Sequence, residues 1–395
     1  MAKLSVDQLD LAGKRVFLRV DLNVPLEDGR VAEDTRIRAV VPTIEHCLKA
    51  GASLILASHL GRPKGKADPR FSLAPVAARL EDLLGRPVPL LPDCVGPEVE
   101  AAAAALKPGD TVLLENLRFH PEEEANDPEF ARRLAALADV YVNDAFAAAH
   151  RAHASTEGIA HHLHPAAAGL LMARELGALG RIFERPERPV AAVLGGAKVS
   201  DKLALVEHLL ERVETLLIGG GMAFTFLAAL GYGVGRSLLE ADRLDETRGI
   251  LARARSMGVR MRLPVDVVTA TGPDSTDGVR TVGVREIPDD LMGLDIGPLT
   301  VAQFGGALQG ARTVVWNGPM GVFEKPPFAA GTLGVARAVA GCGGFSVIGG
   351  GDTIAAVGQA GVTDRIGYIS TAGGAFLEFL EGRTLPGVAA LDEAA

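Results

Sequence analysis

The chain has 395 residues, of which 48% are hydrophobic and 23% are charged, a composition typical of a globular protein with an ample core. Its net charge of −9 and its few aromatic residues argue against nucleic-acid-binding and membrane-surface proteins, because both need a broad basic face. The length alone predicts roughly two to three domains.

The three cysteines, Cys47, Cys94 and Cys342, are widely spaced and form no C-x-x-C pair. This pattern favours free thiols in a reducing compartment. The opening stretch MAKLSVDQLDLAGKR has no apolar signal core, and no run reaches the ~18 apolar residues that a membrane helix needs. The sequence therefore predicts a soluble cytoplasmic protein.

Short apolar runs in two series alternate with longer helical patterns. The first series comprises RVFLRV (15–20), SLILA (53–57), TVLLE (111–115) and VYVND (140–144). The second comprises PVAAVLG (189–195), TLLIGG (215–220), PVDVVTA (264–270), TVVWNG (313–318) and FSVIGG (345–350). Because each interval is long enough for a crossover helix, the pattern predicts an α/β fold with two doubly wound parallel sheets.

Between the two series lies GLLMARELGALGRIFERPERP, whose periodicity predicts a connecting helix that its prolines end. We expect an N-terminal domain over 1–168, this helix and a linker over 169–188, and a C-terminal domain over 189–375. A last segment, 376–395, is expected to return toward the first domain. The predicted arrangement places a hinge and a cleft between the two domains.

Polar and charged residues follow the strands of the first series, where Asp21, His59, Glu115 and Asp144 stand at the strand ends. Ligands of open α/β sheets bind at the carboxyl ends of the strands, and arginine suits phosphate and carboxylate oxygens. The candidate binding residues of this half are Asp21, Asn23, Arg36, His59, Arg62, Arg118 and Arg151. Each arginine alone is as well explained by a solvated loop charge, but together they favour a pocket for a small polyanion that carries an alcohol.

The remaining histidines leave their roles open. HHLH (161–164) lacks a partner cluster at zinc spacing, which argues against a metal site. His150 and His153 flank Arg151, and they either line the anion pocket or serve packing.

Glycine-rich turns follow the strands of the second series. In GGAKVSDKLALVEHLL (195–210) the turn leads into a helix, and the four-residue spacing of Lys198 and Lys202 predicts that both lie on one helix face toward the same phosphate chain. In GGGDTIAAV (349–357), Asp352 is placed to meet a phosphate-bound Mg²⁺ and Thr353 to donate to a phosphate. Neither is a P-loop or a dinucleotide fingerprint, and tight turns use glycine without any ligand.

These segments together resemble the phosphoglycerate kinase family. The matching motifs run in the family's order from about residue 20 to 382: VDLNVP, SHLGRPKG, LLENLRFHPEEE, YVNDAF, AHRAHAST, GGAKVSDK, GGGMAFTF, MGLDIGP, WNGPMGVFE, GGGDT and LEFLEG. The resemblance implies a monomeric glycolytic transferase, a kinase that converts 1,3-bisphosphoglycerate and MgADP reversibly into 3-phosphoglycerate and MgATP.

The resemblance also implies a role for each site residue. The seven candidates of the first half would hold the phosphoglycerate. The nucleotide would be held by Lys198, Lys202, Gly293, Asn317, Glu324, Gly350, Gly351, Asp352 and Thr353. Asp352 would be the protein ligand to Mg²⁺ and Glu324 would bond the ribose. Arg36, Lys202 and the N–H groups of Gly373 and Gly374 would act on the transferring phosphoryl group, after closure about the connecting helix and the segment 370–375.

The chain departs from the family pattern at a few positions. Ala147-Ala148 replaces a Gly-Thr pair, Ala372 replaces a glycine, and Leu291 replaces a tryptophan beside the adenine pocket. Alanine at 372 would be strained if that position needs a positive φ. Two other readings are a kinase that phosphorylates a different small acid, and a two-domain anion-binding protein without catalysis.

Overall fold

A computed structural model describes residues 3–275 and 277–394 of the chain. By its contacts the chain divides into unit 1, Met1–Gly177 with Thr384–Ala395, and unit 2, Ala178–Arg383. The domain boundaries drawn from the sequence at 168, 188 and 375 stay predictions. Residues 1 and 2, which open the stretch without a signal core, lie outside the described residues.

Unit 1 is built on a parallel sheet of five strands. Its strands are β1 (Arg15–Arg19), β2 (Leu26–Glu27), β3 (Arg30–Val31), β4 (Ser53–Ala57), β5 (Thr111–Leu113), β6 (Val140–Asn143) and β7 (Ala166–Ala168). The sheet order is β5-β4-β1-β6-β7, and β2 and β3 form a separate antiparallel pair. All five residues of β4 are buried, because helices cover both faces of the sheet.

Apolar helix faces complete the core of unit 1. The helices are α1 (Thr35–Lys49), α2 (Ala74–Leu84), α3 (Pro97–Ala105), α4 (Pro121–Glu124), α5 (Pro128–Ala135) and α6 (Leu170–Phe183). Ile37, Val40 and Ile44, at helical spacing on α1, belong to the same core cluster as Leu18 and Leu54 of the sheet. The connecting helix predicted from 169 onward is α6, and it ends three residues before Pro186.

Unit 2 contains a second parallel sheet and a smaller antiparallel one. Its strands are β8 (Val190–Leu194), β9 (Thr215–Ile218), β10 (Arg260–Arg262), β11 (Asp266–Ala270), β12 (Arg280–Gly283), β13 (Met292–Ile296), β14 (Thr313–Asn317), β15 (Phe345–Gly349) and β16 (Tyr368–Ser370). The parallel sheet has the order β10-β9-β8-β14-β15-β16. The predicted α/β class with two doubly wound parallel sheets is confirmed.

One predicted strand belongs elsewhere. The run 264–270 was assigned to the parallel series, but β11 lies in the antiparallel sheet β12-β11-β13, with Val267 opposite both Val282 and Ile296. The prediction was wrong because a short apolar run does not encode the direction of its partners, which here come from the two strands that follow it.

The helices of unit 2 cover its sheets. They are α7 (Leu203–Leu210), α8 (Met222–Ala229), α9 (Leu244–Ser256), α10 (Pro298–Leu308), α11 (Ala330–Ala340), α12 (Gly351–Gln359) and α13 (Gly374–Leu380). Trp316 of β14 and Phe304 of α10 are fully buried in the largest core cluster of the unit. Among the described residues, no helix is long and apolar enough to cross a membrane.

The segment 384–394, which includes α14 (Pro386–Ala389), packs on unit 1. Gly387 donates its N–H to the carbonyl of Ala149 at 2.9 Å, and Asp392 donates to the carbonyl of Ala166 at 2.9 Å. Leu4 in turn donates to the carbonyl of Asp392 at 2.8 Å. Unit 1 is thus assembled from two separated parts of the chain.

Candidate active site

Several candidate residues of unit 1 meet at the carboxyl end of β1 and form what we call the basic edge (Asp21, Asn23, Arg36, His59, Arg62, Arg118 and Arg151). Arg36, in the first turn of α1, donates from Nη1 to Asp21 Oδ2 at 2.9 Å and to the carbonyl of Asn23 at 3.1 Å. Asn23 Oδ1 accepts the N–H of Gly61 at 2.8 Å, and Arg118 donates to the carbonyl of Gly61 at 3.1 Å. A continuous hydrogen-bonded chain therefore positions two arginines before any ligand binds.

His59 lies in the buried part of the basic edge, where its ring is held by Arg19. The Nη2 atom of Arg19 lies 3.2 Å from His59 Nδ1. A guanidinium can only donate, so Nδ1 accepts and the ring proton is on Nε2. Burial, followed by the charges of Arg19 and Arg118, lowers the pKa of His59 well below its usual value. His59 is therefore a neutral hydrogen-bond donor through Nε2.

The other arginines of the basic edge differ in how firmly they are held. Arg118 is buried, and its Nε lies 3.3 Å from Glu124 Oε1 but makes no aligned hydrogen bond. Burial lowers the pKa of Arg118, and the nearby charge of Arg151 contributes to the same shift. Arg62 and Arg151 are exposed, and the described residues provide no side-chain partner for either. These two side chains are left available to a ligand.

A buried polar network beneath the basic edge was missed by the sequence reasoning. Arg19 is fully buried and donates from Nε to Ser155 Oγ at 2.8 Å. Ser155 donates its N–H to Glu123 Oε2 at 2.9 Å, and its hydroxyl bonds the other oxygen of the same carboxylate. Burial raises the pKa of Glu123, which the Arg19 charge opposes. An arginine inside the apolar run RVFLRV was the available signal, since a charge in a two-sided buried strand needs a partner.

Two strand-end acids serve the scaffold. Asp144 accepts the hydroxyl of Thr43 at 2.6 Å and the N–H of Met172 at 2.9 Å, so it anchors the start of α6. Glu115 accepts the Ser72 hydroxyl at 2.7 Å and the Leu73 N–H at 2.8 Å at the start of α2. Both carboxylates are therefore occupied by helix ends.

The histidines left open by the sequence also have protein surroundings. His153 is buried with its Nδ1 4.0 Å from Glu123 Oε1, and burial, with the charge of Arg118, lowers its pKa to about 3. His161 pairs with Glu157 at 2.5 Å, and His164 with Asp392 at 3.1 Å. In the described part of the chain, the segment 161–164 forms no metal-ligating group.

Loops at the carboxyl ends of β8, β9, β14 and β15 line a cleft of about 370 Å³ in unit 2. They lie where the sheet order reverses between β8 and β14, the usual ligand position in doubly wound folds. The loops contact one another through backbone, since a Cβ added to Gly318 would lie 2.3 Å from the carbonyl oxygen of Gly195. Gly220, with a φ of +67°, would meet Gly196 N at 2.6 Å. Close loop packing is thus one reason for these glycines.

Lys202 extends its amine into this group of loops. Its Nζ donates to the carbonyl of Asn317 at 3.1 Å and also bonds the Asn317 side-chain oxygen. Burial lowers the pKa of Lys202 to about 8, against the opposing charges of Asp201 and Asp352. Asn317 is itself held by a bond from Nδ2 to the carbonyl of Gly349 at 2.7 Å. A cationic amine is therefore positioned at the meeting point of β14 and β15.

The family model for phosphoglycerate kinase matches residues 6–383 of the chain. The chain belongs to the phosphoglycerate kinase family. A phosphoglycerate kinase from Moorella thermoacetica is 61% identical over 393 residues, and one from Pelotomaculum thermopropionicum is 59% identical over 391, each covering at least 99% of both chains. The solved structure of phosphoglycerate kinase from Coxiella burnetii aligns with a TM-score of 0.93 at 44% identity over 98% of both chains.

The family membership confirms that the chain is an ATP-dependent phosphotransferase, as the motifs predicted. A more distant solved structure, phosphoglycerate kinase from Pyrococcus horikoshii, covers 98% of both chains with a TM-score of 0.79 at 35% identity. The shared architecture thus extends over both units of this family member.

One geometric prediction about the kinase's lysines was wrong. Lys198 and Lys202 were expected on one face of a helix, but α7 begins only at Leu203 and Lys202 is its N-cap residue. Lys198 is exposed in the preceding loop. The residues between the glycines and Leu203 form turns, so the four-residue spacing has no helical meaning there.

Other nucleotide candidates of this kinase lie on different parts of the cleft. Gly293, Glu324 and Asp352 are among its lining residues, and a Cβ on Gly293 would lie 2.1 Å from the ring of Phe224. Thr353 is buried and accepts the Gly318 N–H at 2.8 Å, which ties two loops together. Gly350 and Gly351 carry the chain into α12, with Gly350 at its N-cap position.

The departures from the family pattern fit without strain in the described residues. Ala372 is buried and is not among the residues with positive φ, whereas Gly373 beside it has a φ of +54° and Gly374 begins α13. Leu291 is buried and does not line the cleft. Ala147 and Ala148 lie in a short 3₁₀ helix, Phe146–Ala148.

A buried acid in the cleft wall of this kinase was also missed. Asp295 of β13 accepts the N–H of Gly331 at 2.6 Å and that of Ile296 at 2.9 Å. Burial raises its pKa to about 7. Asp295 joins β13 to the start of α11 and so supports the wall that carries Gly293.

The donor set at the cleft mouth fits a nucleotide-bound Mg²⁺. Asp352 presents an exposed carboxylate in the first turn of α12 and lines the cleft together with the glycine loops. Mg²⁺ prefers oxygen ligands and usually keeps water and substrate phosphates beside one or two carboxylates. A single accessible carboxylate is consistent with this mode of Mg²⁺ coordination.

Proposed function

We propose that the chain catalyses the reversible transfer of a phosphoryl group between 1,3-bisphosphoglycerate and MgADP, giving 3-phosphoglycerate and MgATP. One observation carries the proposal. Within a phosphoglycerate kinase family member, one parallel sheet presents an arginine-rich edge suited to a small polyanion, and the other presents a nucleotide-sized cleft with a cationic lysine. These are the two binding functions that the reaction needs.

The basic edge holds the phosphoglycerate. Arg62, Arg118 and Arg151 bind its phosphate. Arg151 lies near Arg118, the buried Nε–H of Arg118 has no aligned partner, and Arg62 directly follows Gly61, whose carbonyl accepts from Arg118. Asp21 and Asn23 accept from its hydroxyl, and neutral His59 donates through Nε2. A polar set of this kind distinguishes an acid that carries a hydroxyl from a plain phosphate.

The cleft of unit 2 holds the nucleotide. Gly293 lies on its apolar wall opposite Phe224 and accommodates the base, and Glu324 bonds the ribose. The phosphates lie against Lys198, Lys202 and Asn317 and against the N–H groups that begin α12. The residues Gly350, Gly351, Asp352 and Thr353 form that helix start.

Asp352 is the protein residue that holds Mg²⁺. The ion, when bound, neutralises charge on the nucleotide phosphates. Asp352 would hold the ion through its exposed carboxylate.

The chain's own residues neutralise and position the transferring group. Both nucleophiles, a phosphate oxygen of ADP and the carboxylate of 3-phosphoglycerate, are already anions near neutral pH, so no general base is needed. Arg36 and Lys202 balance the charge on the phosphoryl group, and the N–H groups of Gly373 and Gly374 add donors. With a pKa of about 8, Lys202 keeps most of its positive charge at pH 7.

The proposal includes closure of a monomeric, cytoplasmic enzyme. Arg36 and Lys202 belong to different units, whereas in-line transfer needs reacting atoms at roughly 3–3.5 Å. Movement about the connecting helix and the segment 370–375 would meet that need and exclude water that hydrolyses acyl phosphates. Small-angle scattering should show the largest decrease in radius of gyration when both substrates are bound.

A coupled assay with ATP, Mg²⁺ and 3-phosphoglycerate tests the reaction. We expect turnover only with all three present. Turnover that is independent of 3-phosphoglycerate, or that occurs only with another small acid, would contradict the proposed substrate. Binding of both ligands without turnover would favour a non-catalytic anion-binding protein.

A further inference from the structure

Away from the acid and nucleotide sites, three metal-ligating side chains of different chemistry converge in unit 1. In residues 3–275 and 277–394, one group of at least three metal-ligating side chains is present: Asp93, Cys94 and His120. The carboxylate oxygen, sulfur and imidazole nitrogen of this group all lie within 4.8 Å of one another. Asp93 and Cys94 lie between α2 and α3, and His120 immediately precedes α4. Two separate segments thus bring a carboxylate oxygen, a sulfur and an imidazole nitrogen together.

The three side chains are already oriented by protein contacts. His120 Nε2 lies 2.7 Å from Asp93 Oδ1, and the same oxygen accepts the N–H of Cys94 at 2.6 Å. The ring of His120 stacks on Phe130 with its centroid 5.3 Å away. These contacts hold the three side chains next to one another in the metal-free protein.

The donor types favour a borderline transition metal. Zn²⁺ is bound by cysteine sulfur at ~2.3 Å, histidine nitrogen at ~2.0–2.1 Å and carboxylate oxygen at ~2.0–2.2 Å. Mg²⁺ takes oxygen ligands, and thiolate and imidazole do not suit it. The group therefore differs in kind from the carboxylate that faces the nucleotide.

The group is accessible from one side. The side chains of Asp93 and His120 are 46% and 27% exposed, whereas Cys94 is fully buried. We propose that Asp93, Cys94 and His120 bind a divalent transition metal of the Zn²⁺ class, with water as the fourth ligand. Three protein ligands and one water are a usual coordination for zinc in open sites.

Binding exchanges existing contacts for metal bonds. The Cys94 thiol releases its proton to solvent as the sulfur–metal bond forms, because the thiolate is the form of cysteine that binds metal. The His120–Asp93 hydrogen bond is replaced by two metal–ligand bonds. His120 gives up the Nε2 proton and binds the metal as the neutral ring with its proton on Nδ1, and the Nε2 and Oδ1 atoms move apart from 2.7 Å. No electron transfer is involved.

Titration of the chelator-treated full chain with Co²⁺, without nucleotide, tests the site. We expect one equivalent of Co²⁺ to produce a thiolate-to-cobalt charge-transfer band, and one equivalent of Zn²⁺ to abolish it. Cys94→Ser should lose the band. Cys342→Ser, which changes a thiol outside the group, should keep it. Asp352 offers no sulfur, so metal bound there gives no such band.

A second variant guards against a folding defect in Cys94→Ser. His120→Gln retains the thiol and a donor to Asp93, and we expect it to weaken Zn²⁺ binding at least tenfold, measured by competition with a colorimetric chelator. Circular dichroism verifies that each variant is folded. Absence of the band in the unaltered chain, its persistence in Cys94→Ser, its loss in Cys342→Ser, or unchanged Zn²⁺ affinity in His120→Gln would overturn the inference. The kinase assay is independent of all four outcomes.

Discussion

The basic edge of unit 1 and the cleft of unit 2 are built in different ways. Long charged side chains form the first; Arg36 is held by Asp21, whereas Arg62 and Arg151 are exposed. Backbone forms most of the second, where glycine loops approach so closely that an added Cβ would collide with carbonyl oxygens. Ligand binding or turnover at the basic edge should be lost when a charge is removed. Binding in the cleft should be lost when a small side-chain volume is added. Two similar sheets thus carry candidate phosphate sites that are built by distinct physical means.

Removing one charge from the basic edge should have the largest effect. If Arg36 neutralises the transferring group as an arginine finger does, Arg36→Ala should lower kcat by roughly 10³–10⁵-fold. The KM for MgATP should change little, because Arg36 lies in unit 1. Steady-state kinetics in both substrates measures this.

Arg38→Ala is the matched control for that variant. Arg38 lies on the same helix and makes an exposed ion pair with Asp34, so its loss should alter kcat by no more than about twofold. A comparable loss of kcat in both variants would contradict the proposal that Arg36 neutralises the transferring phosphoryl group.

Removing the buried cation beneath the basic edge should destabilise unit 1. Arg19→Met leaves the buried Glu123 without the cation that most favours its charged form, a change that typically costs about 3–5 kcal/mol. Amide hydrogen exchange of β1 measures the local free energy of unfolding. Adding Glu123→Gln should recover part of the loss.

Arg15→Met, on the same strand, provides the comparison for Arg19. Its partner Asp139 is partly exposed, and the expected cost is about 1 kcal/mol or less. Equal losses of hydrogen-exchange protection in the two variants would show that burial of the Arg19 charge does not determine its contribution to stability.

A single methyl group tests the backbone-built cleft. Gly293→Ala places a Cβ 2.1 Å from the Phe224 ring, which must shift at a cost of about 1–3 kcal/mol. We expect the KM for MgATP to rise about 5- to 150-fold, with the KM for 3-phosphoglycerate unchanged. Gly306→Ala, where nothing lies within 4 Å, should leave both constants unchanged.

The two regions should also differ in their response to pH. Lys202 is cationic below its pKa of about 8 and loses its charge above it, so kcat/KM for MgATP should fall about tenfold per pH unit above pH 8. His59 stays neutral because its pKa is well below 6.5, so it adds no titration between pH 6 and 8. A pH–rate profile for each substrate compares them. A flat nucleotide profile up to pH 10 would contradict the role of Lys202.

The parallel strands and glycine turns could be predicted from the sequence because their cause is local. A buried run such as SLILA is typical of a strand in a parallel sheet, and Asn317 is the last residue of its strand, β14. The direction of β11 could not be predicted, since it depends on partners up to 30 residues away in the chain. The start of α7 was predicted too early in the chain. A four-residue spacing such as that of Lys198 and Lys202 occurs in turns as well as in helices, so it does not locate the first residue of a helix.

The charged residues of the candidate site could be proposed from the sequence. The hydrogen bonds that hold those residues in place could not. Arg36 and Arg118 stand out in an acidic chain. Nothing local indicates that Arg118 is connected through Gly61 to Asn23, whose carbonyl accepts from Arg36. The partnership of Arg19 with Ser155 joins positions 136 residues apart, and only the folded chain brings them together. Long-range hydrogen bonds of this kind leave no periodic signal in a sequence.

The return of residues 384–394 to unit 1 has a consequence for folding during synthesis. Lys3 donates to the carbonyl of Leu391 at 2.8 Å, across 388 positions of the chain. A ribosome releases residues in order, so unit 1 cannot make these contacts until residues 384–394 have been synthesised. Unit 2 is continuous from Ala178 to Arg383. Domains usually fold first from the amino-terminal side of a growing chain. Here unit 2 should complete its native contacts before unit 1, which begins earlier in the chain.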